Sequence, residues 1–188
     1  DSGNVPTEVD QDYASTYTVK GNTGNLVKAG YTFQGWSKTG LGGPTVATLV
    51  IPNSTTTLTA IWTINTHTVV YNGNNSTSGS APTDGSSPYN YNSTVTVLGN
   101  TGTLANTGYD FSGWCTTQPA VGSTCGGTPR AATSTFSITS DVTLYAVWII
   151  KTYTLSYSAG ANGSVSFSAG TNPFTVNHGS SGPSVTAT

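Results

Sequence analysis

The sequence predicts a mainly β protein built from tandem copies of one small unit. The stretch GNTGNLVKAGYTFQGW at residues 21–36 returns as GNTGTLANTGYDFSGW at residues 99–114, with ten of the sixteen positions identical. Short segments alternate between apolar and polar residues, and no apolar period of 3.6 residues persists for ten positions. Glycine, serine, threonine and asparagine fill the intervening stretches, as is typical of turns. We therefore expect strands joined by turns, with at most one short helix in each copy.

The repeat has a period near 80 residues and divides the chain into three predicted domains. TLTAIW at residues 57–62 returns as TLYAVW at 143–148, and HTVVY at 67–71 returns as YTLSY at 153–157. The first copy is residues 1–64 and lacks a first strand, the second is residues 65–150 and is complete, and the third is residues 151–188 and is divergent and truncated. A complete copy of about 80 residues is long enough to form a small domain with its own core.

The second copy contains five predicted strands. In chain order they are His67–Asn72, Ser93–Leu98, Tyr109–Trp114, Ser134–Thr139 and Thr143–Trp148. Because side chains alternate along a strand, His67, Val69 and Tyr71 share one face of the first strand, and Leu144 and Trp148 share one face of the last. The TGTLANTGY segment between the second and third strands allows one short helical turn closed by a glycine.

The charge composition argues against nucleic acid as a partner. Charged residues make up 6% of the chain, the net charge is −2, and 5 Lys and Arg are spread over 188 residues. A nucleic-acid interface needs a basic patch, which this composition does not supply. No apolar run approaches the roughly 20 residues that span a bilayer, so membrane insertion is not expected either.

No residue pattern predicts catalysis, a cofactor or a metal site. The histidines are His67, which aligns with Tyr153 on the inward face of a strand, and His178, which lies in a turn. Neither has a Cys, Asp or second His at the spacing of zinc ligands. The segment Glu8–Asp12 carries three acids at alternate positions, which we assign to a solvated loop or strand edge in preference to calcium. The repeated glycine-rich stretch lacks the lysine of a phosphate-binding P-loop. We expect a protein that is not an enzyme.

The motifs GYTFQGW with TLTAIW, and GYDFSGW with TLYAVW, resemble the Listeria–Bacteroides repeat, also called the internalin B-repeat. The resemblance covers residues 2–150, and the third copy looks more like a divergent bacterial variant. It implies small β-grasp-like domains strung in tandem on secreted or surface-attached bacterial proteins. Members of this kind are stalks, spacers or adhesive modules without enzymatic activity. The resemblance therefore implies an extracellular or cell-surface location.

The aromatic residues of these motifs are the predicted core. Burying one aromatic side chain removes about 150–250 Å² from water, so a few of them supply much of the core of a small domain. The predicted core residues are Tyr31, Phe33, Trp36 and Trp62 in the first copy and Tyr109, Phe111, Trp114 and Trp148 in the second.

Cys115 and Cys125 lie in an insertion that departs from the repeat pattern. Free thiols of a cytosolic protein are one interpretation. An extracellular disulfide is the other, and it fits the resemblance to surface proteins. Closing so short a loop would contribute at most about 3 kcal/mol, so we expect a local staple with no redox role.

Two further sets of residues are candidates for contact with glycans. The N-x-[ST] sequons, which are candidate glycosylation sites, are at Asn53, Asn74, Asn75, Asn92 and Asn162. If the chain is an adhesin, exposed aromatic rings would bind a glycan or a surface protein by stacking. The candidates are Tyr89, Tyr91 and Tyr145, because they depart from the core pattern, and Tyr145 is expected to face away from Trp148.

The leading functional hypothesis is a stalk, spacer or fibre subunit, and an adhesin module is the alternative. Connections as short as Thr63–Asn65 and Ile149–Lys151 restrict motion between copies and favour an extended rod. The expected partners are neighbouring molecules of the same chain or further repeats. If residues 1 and 188 are the native ends of the chain, the first copy lacks a first strand, and the segment Thr152–Ser158 of another molecule is predicted to complete its sheet, which would give a head-to-tail fibre. Otherwise the missing strand reflects only where the chain was cut.

Overall fold

The computed structural model describes residues 2–187 and confirms the mainly β class, since strands and no helix are present among these residues. The segment that was predicted to allow a helical turn forms turns and isolated bridges. There the side chain of Asn100 accepts a hydrogen bond from the N–H of Leu104 at 2.7 Å and donates to the carbonyl of the same residue at 2.8 Å. These two bonds use the backbone groups that a helix would need. The β-grasp-like detail stays an expectation.

The strands are numbered in chain order. The first copy contains β1 (Thr16–Thr18), β2 (Tyr31–Ser37), β3 (Thr48–Val50) and β4 (Thr59–Ile64). The second contains β5 (Thr66–His67), β6 (Val69–Asn72), β7 (Tyr89–Asn90), β8 (Thr94–Thr96), β9 (Tyr109–Cys115), β10 (Pro129–Arg130), β11 (Thr135–Ser137) and β12 (Val142–Ile150). The third contains β13 (Thr152–Leu155), β14 (Val165–Phe167), β15 (Phe174–Asn177) and β16 (Val185–Ala187).

A four-stranded sheet in the order β10–β9–β12–β6 forms the best-buried part of the second copy. One of its two inner strands, β12, pairs antiparallel with β9 and parallel with β6. Leu144 and Ala146 are fully buried on β12, and Trp114 and Trp148 are each 1% exposed. The alternation predicted for this strand therefore places its apolar residues in the core.

A bulge next to a glycine brings two residues of β9 that are three positions apart onto the same face. The pairing of β9 with β12 shifts register at this point, which leaves one residue of β9 unpaired. Gly113 has a φ of 134°, a conformation in which a side chain would be strained. Phe111 and Trp114, which are three positions apart, consequently lie on the same face, and their ring centroids are 5.1 Å apart. The first copy contains the same irregularity, with Gly35 at a φ of 135°.

The strand pairs of the other two copies are smaller. In the first copy β1 pairs with β3 and β2 with β4. In the third copy β13 pairs with β15 and β14 with β16, and the rings of Tyr157, Phe167 and Phe174 lie together with centroids 4.9–6.3 Å apart. The pairing of β13 with β15 repeats that of β5 with β7.

The described chain forms two compact units. One contains residues 2–68, 88–94 and 137–141, and the other contains residues 69–87, 95–136 and 142–187. The first unit thus combines the first copy with three segments of the second copy, residues 65–68, 88–94 and 137–141. The division into three domains at residues 64/65 and 150/151 stays a prediction.

Candidate functional site

Three of the predicted core aromatics in each of the first two copies form an edge-to-face cluster, a preferred arrangement of aromatic rings, and the clusters do not include Tyr31 or Tyr109. The Phe33 centroid lies 5.4 Å from that of Trp36 and 5.3 Å from that of Trp62. The Phe111 centroid lies 5.1 Å from that of Trp114 and 5.8 Å from that of Trp148. Trp36, Trp114 and Trp148 are buried, whereas Tyr31, Phe33, Trp62, Tyr109 and Phe111 are partly exposed.

The first candidate site is the junction where the first copy passes into the second. The N–H of Asn65 donates to the carbonyl of Gly30 at 2.8 Å, and the N–H of Tyr91 donates to the carbonyl of Asn65 at 2.8 Å. The ring of Tyr91 lies so close to Gly30 that a Cβ there would meet it at 1.9 Å. The ring of His67 stands edge-on to Tyr91, and the hydroxyl of Thr32 donates to Asn65 Oδ1 at 2.6 Å.

The same plan recurs where the second copy passes into the third. The N–H of Lys151 donates to the carbonyl of Gly108 at 2.9 Å, and the N–H of His178 donates to the carbonyl of Lys151 at 2.8 Å. The ring of His178 covers Gly108, where a Cβ would meet it at 2.1 Å. The centroid of this ring lies 6.2 Å from that of Tyr153, and the Lys151 ammonium lies 3.5 Å from the Asp110 carboxylate.

The two junctions differ in chemistry while keeping one arrangement. The ring pair of His67 with Tyr91 becomes the pair of Tyr153 with His178, so histidine and tyrosine exchange places. The neutral hydrogen bond of Thr32 becomes an ion pair at the equivalent position. The sequence pattern assigns the two histidines to a strand face and a turn, and it does not reveal that His67 contacts Tyr91 or that His178 covers Gly108. One feature of the sequence could have revealed the two junctions: the positions of the first junction recur in the second near the repeat offset.

Asp141 adds a charged group to the first junction. Its Oδ1 accepts a hydrogen bond from the N–H of Thr68 at 2.7 Å and lies 3.7 Å from Nδ1 of His67. The Thr68 amide holds the pKa of the Asp141 carboxyl below its ordinary value, and His67 contributes in the same direction. The folded chain thus favours the ionised form of the Asp141 side chain over the protonated form.

The tyrosines predicted to stack on a ligand lie in two different settings. Tyr91 packs on Gly30, and Tyr89 lies in β7 opposite His67 of β5. Tyr145 is half-buried in β12, paired with Cys115 on one side and with residue 72 on the other. The packing of Tyr91 gives that ring a role within the chain itself.

A disulfide joins Cys115 and Cys125, whose Cα atoms are 5.5 Å apart. Cys115 is fully buried at the end of β9. The insertion between the cysteines is also tied down through Asn74, whose Nδ2 donates to the carbonyl of Pro119 at 2.9 Å. Gln118 Nε2 donates to Asn74 Oδ1 at 3.0 Å. The insertion is therefore held at two places.

The same contacts argue against one of the candidate glycosylation sites, Asn74. Asn74 is 2% exposed and its amide nitrogen is in use, so the folded chain leaves no room for a glycan there. Asn53, Asn75, Asn92 and Asn162 are exposed. Asn74, Asn75, Asn92 and Asn162 all have positive φ, between 45° and 63°. Asparagine adopts this conformation more readily than most residues. The backbone conformation therefore explains why asparagine occupies these four positions, and no glycan is needed to explain it.

The acidic segment near the start of the first copy forms an ion pair. The Glu8 carboxylate lies 3.2 Å from the Lys20 ammonium, and the hydroxyl of Tyr17 lowers the pKa of the Glu8 carboxyl. Within residues 2–187, no three His, Cys, Asp or Glu side chains are grouped as a metal site would require.

The second candidate site is an open groove along β4 in the first copy. β4 pairs with β2 on one edge, and no described strand lies along its other edge. Two cavities of about 400 and 510 Å³ adjoin this edge and share Val5, Trp36 and Leu58 among their lining residues. In the second copy the equivalent edge, that of β12, is covered by β6.

Comparisons with known proteins agree with the motifs. The family model described as the Listeria-Bacteroides repeat domain matches residues 1–61 and 67–147, which confirms the resemblance. A Gly-rich membrane protein, so described, of Evansella cellulosilytica is 33% identical over 177 residues, covering 88% of this chain and 19% of the relative. The chain thus spans about a fifth of that relative's length. No solved structure matches the chain. Between residues 2 and 187 there is no helix that is long and apolar enough to cross a membrane.

Proposed function

Because the chain belongs to the Listeria–Bacteroides repeat family, we propose that it is a non-catalytic spacer or stalk segment of a bacterial extracellular or cell-surface protein. The family is found in surface proteins, and the relative from Evansella cellulosilytica is described as a membrane protein. In this role the copies hold other parts of the polypeptide at a distance from the surface.

The junction that is built twice is the observation that carries the proposal. A spacer must resist bending between its modules. Each junction is held by two backbone hydrogen bonds and by one ring packed on a glycine, and these contacts oppose such bending. The connections contain few residues, which limits motion further. Repeat proteins gain stability from such interfaces between neighbouring units.

Residual dipolar couplings of the aligned chain in solution test the stiffness of the first junction. The expected result is that one alignment tensor describes residues 31–64 together with residues 65–68, 88–94 and 137–141, which belong to the same compact unit. A Tyr91→Ala variant should require two tensors, whereas Thr96→Ala, at an exposed strand position, should behave as the unaltered chain does. Independent tensors in the unaltered chain would contradict a spacer.

A glycan array separates the spacer from the adhesin alternative. A spacer binds nothing on the array. Saturable binding that disappears in Tyr145→Ala would replace the spacer role by adhesion, since the half-buried ring of Tyr145 is not part of either junction.

A further inference from the structure

The chain contains two asparagines that are followed directly by glycine, Asn72 before Gly73 and Asn162 before Gly163. An asparagine in this position can lose its amide spontaneously, because the backbone nitrogen of the next residue attacks the side-chain carbon Cγ. Glycine favours the reaction, since it has no side chain to hinder the approach and leaves the backbone free to turn. The two pairs have the same local chemistry, so only their settings in the fold distinguish them.

The reaction needs freedom of both the backbone and the side chain. The asparagine must rotate until its Cγ reaches the nitrogen of the glycine. Where hydrogen bonds hold the residue and its neighbours in another conformation, the rotation requires those bonds to break first. The rate at such a site is therefore reduced by the free energy of local opening.

The first pair is held at the end of a buried strand. Asn72 is the last residue of β6, where it pairs with Tyr145 of β12. Its Oδ1 accepts a hydrogen bond from the N–H of Asn74 at 2.8 Å. The carbonyl of Gly73 accepts one at 3.0 Å from the indole N–H of Trp148, which is 1% exposed. Rotation at Asn72 therefore requires this end of β6 to open.

The second pair lies in an exposed turn of the third copy. Residues 158–164, which precede β14, are all exposed, and Asn162 has a φ of 63°. Within residues 2–187, the side chain of Asn162 has no hydrogen-bond partner. It lies outside every strand, so no sheet pairing opposes its rotation. Rotation at Asn162 therefore leaves the strands of the third copy in place.

We propose that Asn162 is a site of spontaneous deamidation in the folded chain and that the fold protects Asn72 from the same reaction. The nitrogen of Gly163 forms a bond to Cγ of Asn162, the Cγ–Nδ2 bond breaks, and ammonia leaves with the proton of the Gly163 N–H. Water then opens either C–N bond of the resulting succinimide and leaves aspartate or isoaspartate. This inference does not depend on the spacer role.

The modification changes the charge of the third copy. Residues 151–188 contain no Asp or Glu, so the product is the first carboxylate side chain of this segment. It adds one negative charge to a net charge of −2. The isoaspartate form also lengthens the main chain by one methylene group just before β14. The modified chain is therefore separable from the original by anion exchange.

Incubation of the full chain in a mildly alkaline buffer, followed by peptide mapping with mass spectrometry, tests the proposal. Asn162 should be converted at least about tenfold faster than Asn72, because the reaction at Asn72 waits for local opening. In concentrated urea the two should react at similar rates, since the protection of Asn72 is lost on unfolding. Asn162→Gln is the matched control: it keeps an exposed amide whose longer side chain closes the ring more slowly, and it should remove the acidic form.

Both sites are measured in one molecule, so a difference between them cannot come from the buffer or the handling of the sample. Equal conversion of the two sites in the folded chain, or faster conversion of Asn72, would overturn the proposal. A difference that persists in urea would also overturn it, because the neighbouring residues and not the fold would then be the cause. An acidic form that persists in Asn162→Gln would assign the new charge to another site and contradict the proposal as well.

Discussion

At the residue scale, Asn74 holds an irregular segment against a sheet. Its side chain contacts the carbonyls of Pro119 and Ala146 and the amide of Gln118, and its backbone has a φ of 45°. A buried polar group costs free energy unless its hydrogen bonds are satisfied, and each of these contacts satisfies one. In the sequence the residue is one asparagine in a run of turn residues, so its role became visible only in the fold.

Asn74→Asp should destabilise the second copy by about 3 kcal/mol or more, because a carboxylate would face two buried carbonyl groups that it cannot pair with. Urea unfolding measures the loss. Asn75→Asp is the matched control: Asn75 is exposed with a similar positive φ of 63°, and its substitution should leave the unfolding midpoint nearly unchanged. Equal midpoints for the two variants would contradict the buried contacts.

Asp141 makes the first junction sensitive to acid. The pKa of Asp141 is lowered in the folded chain, chiefly by the Thr68 amide, so its contribution to stability is present above the pKa of the unfolded chain and is lost as pH falls through the lower folded pKa. We therefore expect the free energy of unfolding to decline below about pH 4. Asp141→Asn should reduce this decline, and Asp10→Asn, at an exposed position, should not. Thermal unfolding between pH 2 and pH 6 checks this, and parallel curves for the unaltered chain and Asp141→Asn would refute it.

At the scale of the elements, each junction depends on a glycine that meets two requirements at once. Gly30 has a φ of 74°, which strains other residues, and it leaves space for the ring of Tyr91. Gly108 meets both requirements beneath His178, with a φ of 81°. The strand that follows each glycine can therefore begin directly beside the next copy.

Gly30→Ala separates these two requirements when it is compared with Gly40→Ala. Gly40 has a φ of 84° with no atom within 4 Å of an added Cβ, so its substitution should cost only the backbone strain, about 1 kcal/mol. Gly30→Ala should cost about 2 kcal/mol more, because the new methyl group overlaps the Tyr91 ring. Denaturant unfolding measures both. The double variant Gly30→Ala with Tyr91→Ala should recover part of the loss, and strictly additive effects would argue against the ring contact.

At the scale of the whole molecule, the first two copies share their motifs but not their burial. Among the described residues, the buried apolar side chains of the first two copies come from the second, with Trp36 of the first as the exception. The second copy also contains the disulfide and the added strand β6. Stability rises with the apolar area that is removed from water, so the two copies should differ in stability.

Amide hydrogen exchange should show this difference. Residues of β2 and β4 are expected to exchange at least about tenfold faster than those of β9 and β12, because local opening is easier where fewer apolar contacts are buried. Equal protection of the two pairs of strands would contradict this difference in stability.

The local pattern of the sequence was sufficient for the class of the fold and for most of the second copy. Alternation over Thr143–Trp148 predicted the central strand, and the repeated GYxFxGW motif predicted both the family and the aromatic clusters. The short strands β7 and β10 were not predicted, because two residues contain too little alternation to be recognised. The helical turn after β8 was allowed by propensity and was replaced by the local hydrogen bonds of Asn100.

The sequence by itself determined the family and the mainly β class, because both follow from residues close together in the chain or from a motif that recurs. The tertiary structure decided that Tyr91 and His178 cover the repeated glycines, that Asn74 holds the insertion, and that β6 runs parallel to β12. Each of these depends on packing and hydrogen bonds between residues far apart in the sequence. Such contacts form only when the backbone has brought those residues together, so periodicity and spacing contain no record of them.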